Sequence, residues 1–460
     1  MLLVEYSSTP SECEDLHLYD GVQVPGEECG LPAWNTVSAM HSWANTMEEV
    51  ASVMRKILRV LVVLAVMGTL GLIIEGCSLL QDERTTPSQD ETPPQPTAEQ
   101  WGCVYGGARG IWWQPTAEGA SPRLLEQYQE EHIWFDGVVS PDGSKVAIVA
   151  PDLAIRVIDL ASGRSIEIAP AVEDAQGARG AFVWSADSQQ LAYGQRGDIH
   201  VGNLDGWGKQ VTHQGGMTDL AWSPDGMHIV YGRRDEMDKD LGLWMVSVED
   251  GEAVQLVVGT NDVYGASSPT WSPDGETIAF THAWEGGALC FVNADGSGQR
   301  LDIGPASGRL VWVQDGSAVV YDAAEDEMTS LGVYACATDG EPQPLVAEPC
   351  LSFDMLPNGD LLMVQAVDEQ GENIRARVIP KAPSGGQESW SATLPGSYGR
   401  CYWRPDGKAV AVWLEQMDGP GALYVGEVGQ DMRPLTEDVV SFIGWAKAPV
   451  PAPEQGDTTP

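Results

Sequence analysis

The seven histidines, His17, His41, His132, His200, His213, His228 and His282, are the first residues to test for metal binding or proton transfer. None stands four positions from another, so the paired imidazoles of a zinc-binding helix are missing. A serine nucleophile on an α/β-hydrolase sheet needs a Gly-x-Ser-x-Gly elbow, and the chain contains none. Asn293–Gly298, NADGSG, lacks the alternating carboxylates and distal glutamate of a calcium loop and reads as a plain turn. The set Cys103, Cys290, Cys336, Cys350 and Cys401 is odd in number and cannot all pair. Cys336 and Cys350 are close enough in sequence to bridge, and the default for all of them is a small buried apolar side chain. No catalytic residue, metal or cofactor is expected.

What remains is binding chemistry. Tyr264 and Trp284 are aromatic anchors in polar surroundings, and Asp235, Asp238, Glu325 and Asp326 set a negative charge beside them. The whole chain shares that sign: 67 acidic against 25 basic residues give a formal charge of −42. A phosphate backbone needs Lys and Arg, so nucleic acid is excluded as a partner. The charge suits solubility by self-repulsion, or a cationic ligand.

These residues must be positioned by strands. The phrase TWSPDGETIAF, residues 270–280, returns as AWSPDGMHIVY, VVSPDGSKVAI and YWRPDGKAVAV. Aligned on the turn glycine, the position four before it holds Val139, Trp184, Trp222, Trp271, Trp312, Met355 and Trp403, with a degenerate copy at Trp445. Spacings of 38 to 49 residues in strand-rich sequence are those of four-stranded β-propeller blades. Ser-Pro-Asp-Gly is a type I turn, with Pro presetting φ and Gly accepting the positive φ that follows. Ala186 and Ser188 are expected to break that turn in the second copy, and Met355 to change the packing of the sixth blade.

Unmatched strands before Val139 and after Val439 supply a further blade. The fold expected is all-β, a propeller of eight four-stranded blades closed by a mixed N- and C-terminal blade, with seven blades as the alternative. The short turns then share one face. The long polar loops, with the six binding candidates, share the other.

The phrase SSPTWSPDGETIAFTH, residues 267–282, resembles the TolB-type repeat, also found in the propellers of prolyl-oligopeptidase-like enzymes. The resemblance covers roughly residues 101–446. TolB itself is six-bladed, so the resemblance implies the repeat and not the size of the ring. In the oligopeptidases a separate hydrolase domain performs catalysis, and this chain shows no sequence for one.

The N-terminal segment indicates export. Arg55, Lys56 and Arg59 precede an apolar run, Val60–Ile74, that ends at Ile74-Glu75-Gly76-Cys77. That order resembles a bacterial lipoprotein signal with Cys77 as the lipidated residue, although Glu75 departs from the pattern. An uncleaved membrane anchor is the competing reading. The expected organisation is a miscalled start or disordered segment over 1–53, the signal over 54–77, and a disordered tether over 78–100. The propeller follows over 101–447, then a disordered tail over 448–460. The expected role is a monomeric scaffold on the outer or periplasmic side of the membrane, binding an envelope protein, peptide or glycan through its acidic loop face. The alternatives are a carboxylate-based polysaccharide lyase or hydrolase at the channel, or the propeller subunit of a separately encoded hydrolase.

Overall fold

The computed structural model describes residues 99–449, apart from 108, 129–136, 171–181, 207, 261–264, 283–286, 307–308, 327–328, 368–371, 382–387 and 417–418. The described residues contain no helix, and their strands form eight antiparallel sheets arranged as the blades of a ring. Blades 1 to 7 follow the chain over residues 137–169, 182–210, 217–258, 266–305, 310–346, 352–395 and 399–439. The first strands of successive blades lie against one another, so they form the inner rim. A meander of this kind puts first-to-second and third-to-fourth turns on one face and the remaining connections on the other.

Blade 8 closes the ring as the sequence predicts. Ser441–Pro449 is its inner strand, and Glu99–Gly107, Gly110–Pro115 and Arg123–Gln127 follow outward. Cys103 pairs with Trp445, and the ladder reaches Glu99 opposite Pro449. The seven-bladed alternative is excluded. Blade 4 departs from its expected fourth strand. Around Arg300 the chain makes only isolated bridges, Phe291 with Arg300 and Ala288 with Pro305. The Arg300 guanidinium instead donates to the carbonyls of Thr338 and Gly340 in the next blade, at 2.6 and 2.9 Å.

Buried apolar side chains gather in eight clusters among the described residues, one at each junction between blades. At the junction of blades 3 and 4, Val230, Leu243 and Leu256 meet Trp271, Ile278 and Phe280. A single blade would leave both its faces wet, and neighbours supply the walls.

The repeated tryptophan has a second use. Its indole N–H donates to the carbonyl one residue before the matching position in the preceding blade. Trp184 reaches Val138 at 3.2 Å, Trp222 reaches Val183 at 3.0 Å, and Trp271 reaches Ala221 at 3.3 Å. Trp312 reaches Thr270 at 3.2 Å, and Trp445 reaches Tyr402 at 3.4 Å. Met355 has no donor to offer the Val311 carbonyl, and Val139 has none for Gly444. Trp403 keeps its buried ring, yet its indole N–H has no partner. Its backbone N–H donates to Asp354 Oδ2 at 2.7 Å instead.

The turn chemistry is uniform in blades 1 to 4, whereas Val313, Leu356 and Arg404 take the serine position in blades 5 to 7. Ser272 Oγ donates to Asp274 Oδ1 at 2.5 Å, Glu276 N–H to the same oxygen at 3.0 Å, and Gly275 N–H to the Ser272 carbonyl at 2.9 Å. The second copy keeps this turn, contrary to expectation. Ser188 takes the glycine position at φ 60°, and Ser185 Oγ still donates to Asp187 Oδ1 at 2.6 Å. The Ser188 hydroxyl also accepts the Asp142 N–H of the neighbouring blade at 3.1 Å. That bond compensates for a backbone conformation that glycine holds more easily.

Asn293–Gly298 is a plain turn, with Ser297 N–H donating to Asp295 Oδ1 at 2.9 Å. The five cysteines of the propeller are free and buried. Cys336 lies against the carbonyls of Ala337 and Gly340, whereas Cys350 lies against Ser330 and Asp322, so no bridge joins them. Burial pushes the Cys350 and Cys290 thiols up to about 12.

Candidate functional site

On the inner rim, the row three residues before the tryptophan row holds Asp219, Ser268, Arg309, Ser352, Arg400 and Phe442 in blades 3 to 8. Arg309 Nη2 donates to Asp354 Oδ1 on the next blade at 2.8 Å, and its guanidinium lies 5.6 Å from the Phe353 ring centroid. Arg400 Nε stands 3.8 Å from Glu415 Oε2, and its guanidinium carbon lies 5.8 Å from the Trp413 ring centroid. Both guanidinium groups are about half exposed, so each keeps N–H donors for a further partner. Tyr402 lies within the field of both. Burial pushes its hydroxyl up to about 12 although Arg400 and Arg309 oppose the rise.

Burial also raises Asp354 above the ordinary carboxylate range, against Arg309 and the N–H groups of Trp403 and Met355. Blades 5, 6 and 7 thus bring two arginines, a partly buried carboxylate and a tyrosine to one arc of the rim. Planar guanidinium pairs suit carboxylate recognition.

The loop-face candidates fall into three groups. The Asp235 carboxylate accepts the N–H groups of Met237 and Lys239 at 2.8 and 2.9 Å, so it holds its own hairpin. Asp238 is exposed at the tip of that hairpin, at φ 59°. Glu325 and Asp326 end the strand Val319–Asp326 of blade 5, where Asp326 pairs with Thr329. Trp284 and Tyr264 lie outside the described residues, as does Cys77. The structure brings Asp235 and Asp238 together and sets Glu325 and Asp326 two blades away.

Sequence reasoning missed Asp240, whose side chain is fully buried at the start of the third strand of blade 3. Its Oδ1 accepts Gly242 N–H at 2.7 Å and its Oδ2 accepts Thr260 N–H at 2.9 Å. His282 Nε2, at the end of the second strand of blade 4, lies 3.3 Å from Oδ2. A Cβ at residue 265 would fall 2.2 Å from Asp240 Oδ1, so the glycine there makes room for the carboxylate. Burial alone would raise this acid. His282 and the two N–H groups outweigh it and hold Asp240 below the usual range.

One carboxylate therefore ties Thr260 to His282, which in sequence immediately precede 261–264 and 283–286. Among the described residues no three His, Cys, Asp or Glu side chains gather closely enough to hold a metal ion.

These features define an all-β protein of the eight-bladed β-propeller class. No family model matches the chain and no curated protein matches its sequence. Solved structures match its fold. The dihydro-heme d1 dehydrogenase NirN, in complex with DHE, is 15% identical with a TM-score of 0.52, over 77% of this chain and 76% of that one. A eukaryotic initiation factor is 11% identical with a TM-score of 0.51, over 76% of this chain and 98% of the other. TolB from Acinetobacter baumannii is 18% identical with a TM-score of 0.36, over 54% of this chain and 66% of TolB. A dehydrogenase and an initiation factor on similar rings show that the ring does not dictate an activity.

Proposed function

We propose that this chain is a binding propeller of the bacterial envelope, held at the membrane through Cys77. It meets a protein, peptide or glycan on its loop face without catalysing a reaction. The observation that carries this reading is the buried Asp240, bonded to Thr260 and facing His282. Asp240 fixes Thr260 and His282, which adjoin in sequence the segments holding Tyr264 and Trp284, and a backbone held in place beside a binding residue lowers the entropy cost of binding. The surrounding hairpin adds exposed carboxylates, which selects a partner with cationic or amide-rich groups.

The test is capture from detergent-solubilised envelope by the full chain, beside a variant with residues 283–286 replaced by Gly-Ser. Specific capture by the first and its loss in the second supports the reading. Equal capture by both, or none by either, sinks it.

The second reading, a polysaccharide lyase or hydrolase at the channel, is favoured by the Arg309–Asp354 pair beside Tyr402 and Arg400. General acid–base work needs such convergence. Turnover of an anionic polysaccharide that Asp354→Asn abolishes, with the fold intact, would establish it over simple binding.

A further inference from the structure

The wall between blades 5 and 6 is incomplete. In blades 2 to 5 the ladder row places an indole against the preceding blade, and in blade 6 that row holds Met355. A cavity of about 310 Å³ lies there, opening on the face of the tight turns. Val313, Val320, Met355, Leu361 and Ile379 wall it, all buried. Leu345 forms its lip and is 49% exposed. For scale, an apolar cavity of roughly 150 Å³ holds a benzene ring, and ligand sites begin near about 300 Å³.

One cation stands at the mouth. Lys381 has its backbone N–H fixed on Asp360 Oδ1 at 3.0 Å. Its stem crosses Gly359 at φ +91°, where a Cβ would fall 2.5 Å from Lys381 Cδ. Its Nζ is 3.9 Å from Asp315 Oδ2 with both side chains more than half exposed, so the ammonium is loosely held.

We propose that this gap binds a small aromatic anion. An indole-sized ring takes the place of the missing tryptophan between Met355 and Val313, and its carboxylate meets Lys381. The site lies on the opposite face from the loops and does not depend on the proposed function.

Calorimetry on the full chain tests it, with indole-3-propionate and neutral 3-methylindole as probes. The acid is expected to bind, and Lys381→Met to weaken it by roughly threefold to tenfold without changing 3-methylindole. Met355→Trp refills the row and is expected to abolish binding of both. Should that variant not fold, Leu345→Asp on the exposed lip decides, with an expected loss of more than about tenfold. No heat or chemical-shift change with either probe at millimolar concentration overturns the proposal. So does undiminished binding to Leu345→Asp or to folded Met355→Trp. A dimer in sedimentation that Leu345→Asp converts to monomer makes a second copy the occupant and overturns it as well.

Discussion

Two arcs of the inner rim are built by different rules. From blade 1 to blade 5, four successive indoles donate to four successive carbonyls, and the rim residues that offer those carbonyls are Val138, Val183, Ala221 and Thr270. From blade 5 to blade 7 the equivalent residues are Val311 and Asp354, and the joining contacts are an ion pair and a carboxylate-to-backbone bond. A backbone carbonyl serves the ladder whatever side chain its residue has, so indoles hold the first arc, with Asp219 Oδ2 also accepting the Ser268 N–H at 2.9 Å. In the second arc side chains hold the rim, and they bring charge to it. Desolvated charges are a weaker source of stability than packed indoles, and such places are where ligand chemistry is available.

Breaking the first arc is expected to have the largest effect. Trp271→Ala removes a buried ring and a hydrogen bond, and should lower the unfolding free energy by about 4 kcal/mol in urea denaturation. Trp403→Ala, whose indole N–H is unpaired, should cost less. An equal loss for the two would remove the ladder as a source of stability.

Next in size, Arg309→Ala leaves the Asp354 carboxylate without its partner and should cost about 2 kcal/mol, a figure reduced because the arginine is half exposed. The double change Arg309→Met with Asp354→Leu should recover most of that loss. Failure to recover would mean that the pair, together with the Trp403 N–H bond to Asp354, is net stabilising. Extending the ladder by Met355→Trp should raise stability by about 1 kcal/mol, through one added indole bond to Val311.

The smallest effects per site are those of pH. Although burial opposes it, hydrogen bonds from Ser140 and Ser144 and the charge of Lys145 hold Asp142 down to about 2. Asp225, Asp274 and Asp240 are lowered as well. A folded value below the unfolded one, about 3.9 for Asp, gives stability that is full above that value and lost as pH falls through the lower one. Asp354 has the opposite sign: its raised value disfavours the folded state as pH climbs through it from about 3.9. Unfolding curves between pH 2 and 6 should therefore show Asp240→Asn flattening the acid limb and Asp354→Asn steepening it. The same slope change in both would contradict the opposite signs of the two carboxylates.

The ring was legible because its rule is local. Tryptophan four residues before a turn glycine, repeated at a blade's length, gives both the strand and its neighbour, and Met355 stood out against that row. The candidate sites were legible only in part, because their contacts cross from blade to blade. Arg309 and Asp354 are 45 residues apart, and Asp240 and His282 are 42, close to one repeat in each case. Opposite charges one period apart were the available signal. Asp240 was hidden for a further reason: it follows an acidic hairpin and looks like one more solvated carboxylate. Only the closed geometry, with Gly265 vacating the space, turns it inward.

The closing blade also has a mechanical consequence. The strand Glu99–Gly107 lies between two partners, paired from Glu99 to Gly106 with Ser441–Pro449 and from Gly102 to Gly107 with Gly110–Pro115. A load directed from Glu99 along this strand shears many rungs together, whereas a load between Glu99 and Pro449, which face each other, peels them singly. The seam of the ring is therefore strong or weak according to the direction in which it is loaded.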